Sequence, residues 1–241
     1  MIDHRTGRFT SSSIHKLIKS GRGKNDIFSA PGLTYIQEKN IEKKLGRSLG
    51  TDPQTKPILW GALMEKIVHQ TYLSDSYTLI SNDYRFHPTL GKYWSGIPDM
   101  EAPGEIAEIK CYQLKNFALY SECLMQKDIV CLRENFPQEY WQMVSNAIIN
   151  NVPKATAVSY MPYKDELEEI RDAIENTGLL EKYEFNPWQF RYMVEDEIDY
   201  LPFIEKGGYF QNVTLFSFVV PEEDKKLLTE RVKLAIELID K

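Results

Sequence analysis

The stretch GIPDMEAPGEIAEIK, residues 96–110, decides how this chain is read, because Asp99 is followed nine residues later by Glu108 and then by Lys110. Side chains at i and i+2 of a strand project from one face, so Glu108 and Lys110 lie together if the second arm is extended. A loop at Met100 to Gly104 would fold Asp99 back beside them. Two carboxylates placed in this way can hold a hard divalent cation through oxygen, and a neighbouring ammonium can orient a water or help to deprotonate it. The spacing outlines a phosphodiester-cutting site. The plainer alternative is three ordinary charges at strand ends.

Working outward, YTLISNDYRFH (77–87), KYWSGIPD (92–99) and GEIAEIKC (104–111) are short extended runs separated by Pro88 to Gly91 and by Pro103-Gly104, which predicts an antiparallel meander. Before it, KPILWGALMEKIVHQTYL (56–73) reads as a helix with Pro57 in its first turn and a buried stripe of Trp60, Met64, Ile67, Val68 and Thr71. Glu65 stands four residues after Gly61 on one face of that helix, either solvated or pointing into a cleft. After a helical stretch around 115–133, FPQEYWQMVSNAIINN starts a helix at Pro137. Tyr140, Val144, Ala147 and Ile148 form its apolar spacing, and Gln138 and Gln142 share another face. KATAVSYMPY then reads as a buried strand ending at Pro162.

Nearer the N-terminus, Thr10 to Ser13 give a capping signal for a short helix containing Ile14, Leu17 and Ile18 and ended by Gly21 and Gly23. A second helix is expected over 33–46, then a polar loop through Pro57. The last third predicts a charged helix at 164–175, a helix or broken helix at 187–199, a strand at 213–220 and a final helix from Pro221. The sum is an α/β fold, a mixed central sheet flanked by helices with extra C-terminal helices. One domain is expected over 1–241, with a core at about 1–162 and an elaboration over 163–241.

The 241 residues, 42% of them hydrophobic, suffice for a sizeable core. No apolar run approaches the roughly 18 to 20 residues of a membrane span, and the polar N-terminus lacks a signal-peptide apolar region, so a soluble cytoplasmic protein is expected. The net charge of −6 argues against nucleic acid until the chain is divided. Residues 1–50 carry ten Lys or Arg against four Asp or Glu, whereas 164–241 carry ten against nineteen. Local charge can steer a polyanion because screening acts over roughly 10 Å. Cys111, Cys123 and Cys131 have no metal or redox spacing and are expected to be free thiols, too few for a four-thiolate cluster. His4, His15, His69 and His87 show no ligand spacing.

Four separated motifs resemble, in order, the lambda exonuclease or YqaJ-type viral recombinase nucleases of the restriction-endonuclease-like, PD-(D/E)XK superfamily. Arg5-Thr6-Gly7-Arg8-Phe9-Thr10-Ser11-Ser12 is similar to the family's R-x-G-x-(hydrophobic)-T-A-S start, and Trp60-Gly61 with Glu65 to its W-G-x-x-x-E helix. Pro98-Asp99 with Glu108-Ile109-Lys110-Cys111 resembles its P-D…E-x-K-C core, and Tyr140-Trp141-Gln142 the helix bearing its active-site glutamine. The likeness covers roughly residues 1–160. Tyr112 departs from it, standing where the family usually has proline. Asn116, with Lys115 adjacent, lies near where the family places a basic end-binding residue.

The resemblance implies roles residue by residue. Asp99, Glu108 and the backbone carbonyl of Ile109 would bind Mg²⁺, with Mn²⁺ as a possible substitute, and Glu65 would help bind the same or a second ion. Lys110 would position the attacking water, and Gln142 would hold that water or a phosphate oxygen. Arg5, Ser12 and Lys115 would contact DNA at the 5′-terminal phosphate. The implied function is a Mg²⁺-dependent exonuclease that degrades the 5′-ended strand of linear duplex DNA, leaving 3′ single-stranded overhangs for recombination in a bacterial or phage-infected cell. Implied partners are duplex ends, a single-strand annealing protein and further copies in a trimer. Two alternatives stay open: an endonuclease or nickase with the same site, and a silent fold that binds DNA ends or protein.

Overall fold

The run at 105–110 forms the middle strand of a five-stranded sheet in the computed structural model, which describes residues 4–24, 26–50, 54–81 and 83–239. The strands are β1 (Phe9–Thr10), β2 (Thr78–Leu79), β3 (Arg85–Phe86), β4 (Trp94–Gly96), β5 (Met100–Ala102), β6 (Glu105–Lys110), β7 (Lys154–Tyr160) and β8 (Val213–Val219). The larger sheet has the order β2-β5-β6-β7-β8. Only β6 and β7 are parallel within it, with Glu108 opposite Ala157 and Lys110 opposite Ser159. A smaller sheet, β1-β4-β3, pairs β1 parallel to β4.

The helices are α1 (Ala30–Leu45), α2 (Lys56–Val68), α3 (Leu114–Met125), α4 (Ile129–Asn135), α5 (Pro137–Asn150), α6 (Lys164–Asn176), α7 (Leu179–Lys182), α8 (Arg191–Glu195) and α9 (Glu222–Ile239). Strand alternation divides the packing on β6. Ile106 joins a cluster with Val144 and Ala147 of α5 and with Leu228 and Val232 of α9. Ala107 and Ile109 point the other way, into a cluster with Leu63 and Met64 of α2, Leu167 of α6 and Phe190. Leu63 and Ile109 have no exposed surface, and each such burial contributes roughly 1.5–3 kcal/mol. The fold is the expected mixed sheet flanked by helices.

Several expectations need correction. The runs at 77–111 do not make one meander, because the chain changes sheets at Ile97-Pro98: β4 belongs to the smaller sheet and β5 to the larger. Met100–Ala102 is strand, so Asp99 returns through a tight hairpin at Pro103-Gly104, where Gly104 takes the left-handed φ of 77°. The N-terminal helix is a 3-10 segment, Ser11–Leu17, and Thr10 makes no side-chain cap to it. α1 starts before residue 33, capped by Ser29 and with Pro31 in its first turn. The 115–133 stretch breaks into α3 and α4, with Lys127 at φ 53° between them. The same break brings Cys123 and Cys131 together as a disulfide, leaving Cys111 the free cysteine and buried. The polar loop expected after Gly46 lies partly outside the described residues. Among those described, no helix is long and apolar enough to cross a membrane.

Candidate active site

Asp99, Glu108 and Lys110 meet at the C-terminal end of β6. Glu108 has no exposed surface. Lys110, mostly buried on the same strand face, places Nζ 3.7 Å from Glu108 Oε2. Asp99 reaches them across the β5–β6 hairpin, where its Oδ2 accepts a 2.7 Å hydrogen bond from the Ile109 backbone N–H. That donor lies two residues beyond Ala107, where β6 stops pairing with β5, so the carboxylate takes over a strand donor that would otherwise be open. The Asp99 carboxylate is close enough for its charge to act on Glu108.

The electrostatics follow from crowding. Burial, then the charge of Asp99, push the Glu108 carboxyl well above its ordinary range, while Lys110 and the hydrogen bond from Asn146 pull it down. Glu65, on the last turns of α2, is pushed up to about 8 by burial and then by Asp99, with Lys110 acting in the opposite direction. Glu65 retains part of its surface, so the burial effect counts for less there than at the fully enclosed Glu108. Burial lowers the Lys110 ammonium, but Asp99, Glu108 and Glu65 together outweigh it and hold Lys110 raised and protonated. Burial also raises the Cys111 thiol well above its usual range, which makes it a poor nucleophile. Among the described residues no three His, Cys, Asp or Glu side chains surround one metal-sized position. The three carboxylates are thus an acidic neighbourhood and not a closed ligand cage.

α5 supplies the polar wall facing β6. Gln142 Nε2 donates to Glu108 Oε2 at 2.5 Å, and Asn146, one helical turn on, donates through Nδ2 to Glu108 Oε1. Sequence reading singled out Gln142 and passed over Asn146, although their i, i+4 spacing puts both on one helix face. It also passed over a buried chain beside them, in which Ser145 Oγ lies 2.8 Å from Ser11 Oγ and accepts from Trp94 Nε1 at 2.8 Å. Tyr112, in place of the proline, donates to Glu139 in the first turn of α5 and so ties the exit of β6 to that helix. His69 has a packing role, donating from Nε2 to the Tyr77 carbonyl at 2.9 Å.

Arg5 and Ser12 line a different feature, a cavity of about 440 Å³ between the Ser11–Leu17 segment and α1. Its walls include Lys16, Tyr35, Lys39 and Glu42, none of which the motif reading assigned to it. The Lys16 and Lys39 ammoniums stand 5.1 and 5.6 Å from the Tyr35 ring centre. Glu42 is held inside the protein, paired with Lys39 at 2.8 Å and accepting from the Gly7 N–H at 3.0 Å. Lys39, one of the ten basic residues among the first fifty, is therefore engaged within the protein. Lys115 is not in this cavity; it lies exposed in the first turn of α3. A larger cavity of about 500 Å³ between α5 and α9 holds none of the expected site residues.

No protein-family model matches the chain, and no curated protein matches it. Solved structures do resemble it. An alkaline exonuclease from Laribacter hongkongensis superposes with a TM-score of 0.62 at 13% identity, covering 98% of this chain and 89% of that one. A structure of that enzyme in complex with dAMP gives the same values. A phage-related exonuclease from Haemophilus somnus 129PT gives 0.61 at 14% identity, covering 97% and 93%. At such identities the likeness is one of architecture, and on that ground the chain has the restriction-endonuclease-like fold of these alkaline and phage-related exonucleases.

Proposed function

We propose that this protein is a metal-dependent DNA exonuclease. The observation that carries the reading is the convergence of Asp99, Glu108, Lys110 and Glu65 at one end of β6, on a fold shared with exonucleases. The donor set fits a divalent cation. Burial first and the charge of Asp99 second raise Glu65 and Glu108 above their ordinary range, and a divalent cation would offset both effects. Asp99, Glu108 and the Ile109 carbonyl would hold Mg²⁺ or Mn²⁺, with Glu65 assisting at the same or a second position. A bound Mg²⁺ would lower the pKa of a water and stabilise charge on the phosphorus.

The chain's own groups divide the remaining work. The carboxyl groups around Lys110 hold its ammonium raised, and its part would be to orient the attacking water and stabilise developing negative charge. Gln142 contacts Glu108 from α5 and would hold the same water or a phosphate oxygen. Arg5, with its planar fork, and Ser12 at a helical start would receive the phosphate of a strand end in the N-terminal cavity, with Lys16 adding positive charge. Lys115, outside that cavity, would contact DNA from α3.

We assign the 5′-ended strand as the one degraded. Labelled linear duplexes carrying 5′-phosphate or 5′-hydroxyl ends, beside closed circular DNA, test this directly. Release of 5′-terminal nucleotides from phosphorylated linear duplex, with circles intact, is expected; cut circles would favour the endonuclease reading.

A further inference from the structure

We propose that Asn146 is a positioning residue that locks the two arms of the carboxylate site to each other; this rests on reading Asp99 and Glu108 as metal ligands. Asn146 is fully buried in the middle of α5, so it touches neither solvent nor substrate. Its Nδ2 donates to Glu108 Oε1 and also to the Ile97 carbonyl at 3.2 Å. Glu108 belongs to β6, whereas Ile97 leads through Pro98 into Asp99. One amide nitrogen, with its two hydrogens, thereby spans both acidic arms at the point where the chain changes sheets.

The amide can face only one way. Turning it over would set Oδ1 against two acceptors, the Glu108 carboxylate and the Ile97 carbonyl. As it stands, Oδ1 has no partner and lies against Gly96, where a Cβ would overlap both Asn146 Oδ1 and Ser11 Oγ. Glycine at 96 is what lets α5 approach the start of this arm closely enough for the bridge to form. With Gln142 on Oε2 and Asn146 on Oε1, both oxygens of Glu108 are oriented by neutral donors. Such donors fix the orientation of the carboxylate and leave lone pairs for a cation. Outer groups that orient ligands in this way typically govern metal affinity by about 10–100-fold.

The test is calorimetric titration of Mn²⁺ into the metal-free full-length protein, alongside thermal midpoints and the Mn²⁺ concentration giving half-maximal cleavage of linear duplex. Asn146→Ala, and Asn146→Leu with its similar volume, are each expected to weaken Mn²⁺ binding about 10–100-fold and to raise the metal requirement. Ser145→Ala is the control. It sits next in sequence, equally buried and hydrogen-bonded to Ser11 and Trp94, and should lower the thermal midpoint without changing Mn²⁺ affinity. Unchanged affinity in folded Asn146→Ala or Asn146→Leu, with binding lost in Asp99→Ala, overturns this inference alone. Wild-type protein that binds no Mn²⁺ overturns the metal reading and the inference with it. Failure of both Asn146 variants to fold would show a structural role and equally overturn it.

Discussion

At the end of β6, Glu65, Asp99 and Glu108 confront the Lys110 ammonium, whereas in the N-terminal cavity Arg5, Lys16 and Lys39 stand with Glu38 and Glu42. In the first region burial, and then the charge of Asp99, push the carboxyl groups of Glu65 and Glu108 towards neutrality. In the second, the buried carboxylate of Glu42 is matched by Lys39 and by the backbone N–H groups of Gly7 and Leu49. On the proposed function the first region would take a cation and the second the phosphate of a strand end, the two things a phosphodiesterase acting at strand ends requires. The lesson is that the same residue types serve opposite purposes according to what has already been neutralised.

The largest expected effect breaks the acidic half. Lys110→Ala should reduce single-turnover cleavage of linear duplex by about 10²–10³-fold or more, as expected for losing a charge that acts on the transition state. Asp99→Ala should be at least as damaging, since it also frees the Ile109 N–H. Both variants should stay folded, which circular dichroism would check. Near wild-type cleavage by either would detach these residues from the chemistry.

This half was also the more legible in sequence, for a physical reason. Strand alternation is local, so Glu108 and Lys110 could be placed on one face from their spacing, and the Pro103-Gly104 turn brings Asp99 back over a few residues. Glu65 and Gln142 were found through helix position together with family resemblance. Asn146 escaped because its partners Ile97 and Glu108 lie 49 and 38 residues away. Ser11, whose partner Ser145 lies 134 residues away, escaped for the same reason. The division of the meander between two sheets was equally hidden, because the extended runs before and after Pro98 have the same pattern, and only pairing with the distant Phe9–Thr10 separates them.

A smaller effect sharpens the basic half. Ser12→Ala and Arg5→Ala should each weaken use of 5′-phosphorylated ends by about 10–100-fold, in line with roughly 1.5–3 kcal/mol for a hydrogen bond to a charged group. The effect should fall on the apparent KM and vanish on 5′-hydroxyl ends. Equal losses on both kinds of end would make the cavity a general DNA contact and break the contrast.

The smallest effect is on stability and needs no DNA. Glu65 rises from an ordinary 4.5 to about 8 on folding, so between these values the folded protein holds more protons than the unfolded chain. The metal-free protein should therefore lose stability as pH rises through that window, its stability being fullest below it. Thermal midpoints in chelator should fall between about pH 5 and about pH 9, and Mg²⁺ or Glu65→Gln should flatten the profile. A flat profile in chelator would mean that neither burial nor the charge of Asp99 raises Glu65 in the folded protein.

The most direct test of the central claim is digestion of linear duplex DNA by purified protein in Mg²⁺ and in chelator. The account predicts progressive degradation in Mg²⁺ and intact duplex in chelator; intact duplex in Mg²⁺, or equal cutting with the metal removed, would contradict it.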